Sequence, residues 1–375
     1  MDLALSSDQE LFLETTRRFL ETECPVTEVR ALHETADGFD RDYWRKGADL
    51  GWTAMLVPEE LGGGSVSGDG LLDLVLVAEE MGRLTSPGPL LPVNVVADTV
   101  ARRGSPAQQA EVLAGLLAGE TFATWAFDDG DGSWDAAGVR LSATQDGSGW
   151  VLDGRKSFVQ DVGVADWLLV TGRSGNGLTQ FLVPTDAAGV TVSPLESLDL
   201  VRRFGEVTFV GVKVSDSSVV GTAGGAADDV EHQLQVALAI QNAETVGATN
   251  RVFDFTLEYA KDRVAFGRPI GSYQALKHRL ADMKTWLEGC SATSSAGAKA
   301  VAAGTTDAAE LIRVAKAYIS DRSPAIVQDC VQLHGGIGVT WDHDIHLYLR
   351  RVAQNAALFG SARQHREHIA VLLGM

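Results

Sequence analysis

Residues 149–160, GWVLDGRKSFVQ, decide the fold. The stretch is short, rich in β-branched and aromatic residues, and set among turn signals: Asp146-Gly147, Asp153-Gly154 and Gly175-Asn176-Gly177. The same texture recurs in TFATWAF, DWLLVTGR, LTQFLVP, VTVSPL and GEVTFVGVKV, from about residue 121 to about 220. Segments at this spacing predict an antiparallel sheet or barrel rather than βαβ units.

Helical text lies on both sides. SSDQELFLETTRRFLETE opens with a capping box, Ser7 to Glu10, followed by Leu11, Phe12, Thr15, Phe19 and Leu20 at helical spacing. GLLDLVLVAEEMGRL (70–84) is a second helix with Leu71, Leu74, Val75, Val77 and Met81 on its buried side. Between them VPEELGGGSVSGDG (57–70) is a loop. Beyond 220 a helix of about nine turns ends before Gly267-Arg268-Pro269, and Ser272 caps the next. Helical stretches follow at 291–304, 307–333, 342–358 and 361–373. The expected class is α+β, in three parts: residues 1–120 helical, 121–220 β, and 221–375 helical.

The chain has 375 residues, is 45% hydrophobic and carries a net charge of −19. That length supports a large core. The charge supplies no basic footprint for nucleic acid and opposes binding to anionic membranes. No apolar run reaches the ~18 residues of a membrane span, and MDLALSSDQELF is unlike a signal peptide, so a cytoplasmic location is expected. Cys24, Cys290 and Cys330 are scattered and read as reduced thiols, with Cys290 and Cys330 expected in the core.

GxGxxG after a strand, GxxxxGK[ST] and GxSxG are all absent. His343 and His346 in WDHDIHLYLRR read as a solvated helix start rather than metal ligands, so no metal is expected. Two constellations suggest an anion. In RVAFGRPIGSYQALKH (263–278) a helix end carries Arg263 and Phe266, and a new helix starts near Gln274; a guanidinium fork and a helix N-terminus both favour phosphate. In QLHGGIG (332–338) Gly335 and Gly336 let a large anionic group approach the backbone amides. Together they suit a dinucleotide's pyrophosphate. Separately they read as a basic helix terminus and a glycine C-cap.

These residues make the chain resemble the acyl-CoA dehydrogenase family along nearly its whole length. VPEELGGGSV, DGRKSFVQDVGVADWLLV, YAKDRVAFGRPIGSYQALKHRLADM and VQLHGGIGVTWDHDIHLYLRR carry the resemblance, in order. It implies a helical N-terminal domain, a middle β-domain, a C-terminal four-helix bundle and assembly as a dimer of dimers. It also implies FAD across the dimer interface, with the isoalloxazine ring on one subunit and the ADP half on its neighbour. The reaction implied is α,β-dehydrogenation of an acyl-CoA with a glutamate as base. By the resemblance Arg263, Phe266 and Gln274 contact the neighbour's FAD, and Gln332, Gly335 and Gly336 complete that ADP cradle.

The ring half departs from the family pattern. FDDGDGSWD (127–135) replaces a loop reading Thr-Glu-Pro-x-Ala-Gly-Ser-Asp, placing Asp128, Asp129 and Asp131 where reduced flavin gains negative charge. Phe158 stands for a tryptophan on the ring, and Gln160 for a hydroxyl residue near N5. Leu358-Phe359-Gly360 aligns with Tyr-Glu-Gly, so Phe359 occupies the base position and accepts no proton. The second base position of the family falls on Ala237; Glu244 lies two turns on, with a structural role favoured over a catalytic one, and Glu231 is poorly placed. This pattern resembles the base-lacking subunit of actinobacterial α2β2 heterotetramers. In these a homologous acyl-CoA dehydrogenase subunit supplies the base and the substrates are CoA thioesters of steroid side chains or ring fragments. The competing readings are a self-sufficient homotetramer or ene-reductase with another acid or base, and a structural homologue without flavin.

Overall fold

Helices α1 (Ser7–Glu23), α2 (Val26–Leu32), α3 (Arg41–Asp49), α4 (Gly70–Leu84), α5 (Leu90–Arg103) and α6 (Pro106–Leu117) open the chain in a computed structural model that describes residues 5–375. The first four residues, part of the stretch read for leader character, lie outside the description. Helix α1 starts one residue earlier than expected. Ser6 is its cap and pairs reciprocally with Gln9. Consecutive serines each have a Glu or Gln three residues on, so the sequence offers two equivalent boxes. In α4 Leu71, Leu74, Val77 and Met81 are buried as the spacing requires, with Val75 half-buried. Among the described residues no helix is long and apolar enough to cross a membrane.

The middle of the chain forms β1 (Ala123–Ala126), β2 (Ser142–Asp146), β3 (Gly149–Gln160), β4 (Trp167–Ser174), β5 (Gly177–Pro184), β6 (Val190–Leu195), β7 (Phe204–Ser215) and β8 (Val219–Val220). They join in the order β6-β7-β3-β2-β4-β5-β8, with β1 added to β4. The sheet is mixed rather than purely antiparallel, because β1 runs parallel to β4. The Asp153-Gly154 turn expected from sequence is instead a bulge. β3 continues through it, and its register against β7 shifts between Leu152 and Gly154. A second core, built from Leu152, Leu168, Val170, Phe181, Val207 and Phe209, fills one face of this sheet.

Helices α7 (Ala227–Asp262), α8 (Gln274–Ala303), α9 (Ala308–His334), α10 (Ile345–Ala357) and α11 (Ala362–Leu372) close the chain, with a small hairpin of β9 (Val264–Ala265) and β10 (Arg268–Pro269) between α7 and α8. Helix α7 has 36 residues, about ten turns rather than nine. Helix α8 runs unbroken through the break expected near residue 290. Gly289 there is a contact and not a stop: a Cβ on it would sit 2.7 Å from the Tyr318 hydroxyl of α9. Ser272 does not cap α8; its hydroxyl donates to the carbonyl of Pro269 at 2.6 Å. Helices α4 and α7 meet backbone to backbone. A Cβ at Gly82 would lie 2.0 Å from the carbonyl oxygen of Glu244, and one at Gly247 would lie 1.9 Å from that of Glu79. This crossing fixes Glu244 in the interior.

Candidate functional site

The residues expected to hold the ADP half of a dinucleotide gather at one end of the bundle. Arg263 follows the last residue of α7, and its carbonyl accepts from the Ile270 amide at 2.8 Å, closing the hairpin. Its guanidinium is exposed and makes no hydrogen bond or ion pair among the described residues. Phe266, at the hairpin tip, is 98% exposed with φ +53°. Gln274 opens α8 and is exposed. Gln332 lies in the last turn of α9, exposed, and Gly335 and Gly336 follow it. Gly335 has φ +64°, and a Cβ on either glycine would meet nothing within 4 Å.

Tyr259 ties the two groups together. Its ring stacks on His334 at 4.4 Å, and its hydroxyl donates to the His334 carbonyl at 3.4 Å. His343 and His346 are half-buried in this aromatic cluster rather than solvated: His343 lies 4.6 Å from His334, and His346 stacks on Trp341 at 4.7 Å. Open backbone, an uncommitted guanidinium and the start of a 30-residue helix form a donor set that fits a pyrophosphate.

The ring half is built differently. Phe158 is 47% exposed with φ +52°, so its side chain faces the cleft between sheet and bundle. Gln160 is buried, and its amide donates to Asp161 at 3.0 Å. The donor expected near N5 is therefore committed to Asp161, although Gln160 still borders the small space beside Phe158 and Phe359. Two of the three acids also point elsewhere. Asp129 accepts from Lys156 at 2.8 Å and from the amides of Arg140 and Leu141, and Asp131 pairs with Arg140. Asp128 is buried and accepts from the Gly130 amide, but its other oxygen has no partner among the described residues. Burial pushes its carboxyl up to about 6.

Phe359 is buried with φ +62° and packs against Trp125 at 5.9 Å and Trp134 at 5.2 Å. The space enclosed by Pro92, Phe127, Asp128, Trp134, Phe158 and Phe359 is only about 10 Å³, at most the room one water needs. A flavin ring does not fit in it.

None of the carboxylates considered as a base is free. Glu244 accepts from Arg202, from Arg351 at 2.8 Å and from Asn355 at 2.9 Å. Arg351 is fully buried and also donates to Asp199 and to the carbonyl of Thr85. Burial opposes the charge on Asp199, but Arg351 and Arg202 hold its carboxyl below the usual range. Glu231 accepts from one nitrogen of Arg313, at 2.7 and 2.9 Å, and from the Gln235 amide at 3.1 Å. Ala237 is in the core.

Sequence reading missed three parts of this region. Trp134 was hidden among acids. Arg202, Asp199 and Arg351 come together only in three dimensions. Lys316, fully buried, donates to Gln241 and to the Asn355 carbonyl, and burial lowers it to about 7. The one available signal was the run of alternating acids and glycines before Trp134, which announces a loop folded on its own amides. Cys290 and Cys330 are buried as expected, Cys24 is buried too, and burial pushes Cys24, Cys290 and Cys330 to about 12, 11 and 12.

Comparison with known proteins agrees with this architecture. The chain matches the acyl-CoA dehydrogenase N-terminal domain over residues 6–120, the middle domain over 124–212 and the C-terminal domain over 230–373. It is 31% identical to the acyl-CoA dehydrogenase IpdE2 of Mycolicibacterium smegmatis, over 96% of this chain and 97% of that one. Among solved structures it is similar to the ChsE4-ChsE5 complex from Mycobacterium tuberculosis, with a TM-score of 0.90 and 29% identity over 100% of this chain and 99% of that one. It is also similar to a variant of the Tcur3481-Tcur3483 steroid ACAD, with a TM-score of 0.88 and 29% identity over 98% and 97%. The chain belongs to the acyl-CoA dehydrogenase family, whose cofactor is FAD.

Proposed function

We propose that this chain is one subunit of a heteromeric FAD-dependent acyl-CoA dehydrogenase, giving the ADP half of a flavin site to a homologous partner whose carboxylate removes the substrate proton. The observation that carries the reading is the asymmetry between the two halves. The side chains of Arg263, Phe266, Gln274 and Gln332 are exposed, and Gly335 and Gly336 leave open space beside the backbone, while in the ring half Phe359 is buried against Trp125 and Trp134. The ChsE4-ChsE5 complex, a relative across the whole chain, supports a partner of the same family.

The hydride acceptor for the α,β-oxidation would be supplied by FAD when bound. This chain's part is to bind and orient. The Arg263 fork and the open backbone at Gly335 and Gly336 would hold the pyrophosphate, with the exposed Phe266 ring beside them. A CoA thioester of a steroid side chain or ring fragment is the proposed substrate class, supported by likeness to a steroid ACAD. An α2β2 assembly follows the family's dimer-of-dimers plan.

The test is flavin retention in the co-purified complex. Arg263→Ala removes a charged hydrogen-bonding contact worth about 1.5–3 kcal/mol, so FAD should dissociate roughly ten- to a hundred-fold more readily. Unchanged retention would remove Arg263 from the site.

A further inference from the structure

We propose that Trp134 decides which cleft of the assembled enzyme accepts a flavin ring, because its indole partitions this chain's own cleft. The inference rests on the half-site reading above and concerns the ring half rather than the residues around Arg263.

Three cavities adjoin Trp134. One is a groove of about 520 Å³ lined by Phe158, Leu198, Phe204 and Gln354. The second is a pocket of about 290 Å³ lined by Arg313, Phe359, Gln364 and His365. The third is the remnant of about 10 Å³ under Phe127 and Asp128. Phe158 borders two of them and Phe359 borders two, and among the described residues Trp134 alone borders all three. The indole meets Phe359 edge-on at 5.2 Å and 79°, and leans on Phe158 at 6.3 Å and 41°. A small side chain at 134 would join the compartments into one slot between sheet and bundle.

The partition is held in place from both sides of the residue. Before it, the Gly132 carbonyl accepts from the Gln364 amide at 2.9 Å, and the Ser133 amide donates to Asp131 at 3.0 Å. After it, Asp135 accepts from the Gly138 amide at 2.9 Å. Asp129 anchors the loop's two ends through Lys156 and the Arg140 and Leu141 amides. The acids in FDDGDGSWD therefore act mainly as fasteners of the loop that presents Trp134. The larger groove keeps a polar feature of its own. Gln354 accepts from Ser197 and from the Asp199 amide through its oxygen, while its amide nitrogen has no partner among the described residues.

The experiment measures closure directly. Phe359→Cys places a thiol behind the indole, and the native cysteines are all buried with thiols raised to about 11 or 12. Maleimide labelling and quenching of FMN fluorescence are followed in the complex with a family partner. With Trp134 present the introduced thiol should react at least ten-fold more slowly than an exposed thiol. Adding Trp134→Ala should abolish that protection and allow one extra FMN per copy of this chain, whereas Trp134→Phe should keep the thiol protected. Rapid labelling of Phe359→Cys with Trp134 intact overturns the proposal, even if Trp134→Ala proves unstable. So does an extra FMN bound with Trp134 intact. Arg263→Ala separates the two readings: failure of the ADP-half assignment appears there as unchanged FAD retention, with no change in thiol protection.

Discussion

Glu244→Gln distinguishes a clamp from a base. The buried cluster contains two acids, Asp199 and Glu244, and two guanidinia, Arg202 and Arg351, so its net charge is zero. Replacing Glu244 by glutamine keeps the shape and leaves one uncompensated positive charge among groups that are at least nine-tenths buried. Removing one partner of a buried ion pair costs about 3–5 kcal/mol. The Asn355 amide loses a charged acceptor as well. The effect should be read by urea denaturation of the complex, as a lowered midpoint. Arg351→Met should cost a similar amount. The double variant should be far from additive, because each single change leaves a charge that the other removes. A Glu244→Gln complex that unfolds at the parent urea concentration but loses turnover would refute the clamp and restore Glu244 as a base.

Three further changes probe the loop that carries Trp134. Asp128 is raised from 3.8 to about 6 by burial, so the folded state holds its proton more tightly than the unfolded state. Stability therefore falls as pH rises from about 4 to about 6, and the penalty is complete above that. At 1.36 kcal/mol per unit, less the cost of an unpaired amide, Asp128→Asn should gain about 1–2 kcal/mol at pH 8 and nothing at pH 3; thermal melts across that range check it. Lys156→Met leaves Asp129 buried without its cation and should cost about 2–4 kcal/mol, measured by the same melts, with Asp129→Asn milder.

Much of the fold is legible in the sequence because periodicity and turn residues report burial directly. Leu71, Leu74, Val77 and Met81 sit at helical spacing and are buried. Gly335 and Gly336 of QLHGGIG mark a backbone that is open in the structure, while Gly338 packs against the Val331 carbonyl. The errors have local causes. Ser272 has a cap's chemistry, but the Pro269 carbonyl takes its hydroxyl. Gly289 looks like a helix break because glycine is a weak helix former, yet the close approach of α9 requires it. At the site, the missing base at Phe359 is readable as a residue type. What replaces it is not. Trp134 reaches Phe359 across 225 positions of chain, and Arg351 reaches Asp199 across 152. No local pattern encodes such contacts.

The central claim is that this chain builds half of one flavin site and does no proton chemistry itself. It is tested most directly by size-exclusion chromatography with absorbance detection, on the chain alone and co-expressed with a family partner. The account predicts one FAD per pair of unlike chains, bound only when both are present. A yellow homomeric chain that oxidises acyl-CoA without a partner would contradict it.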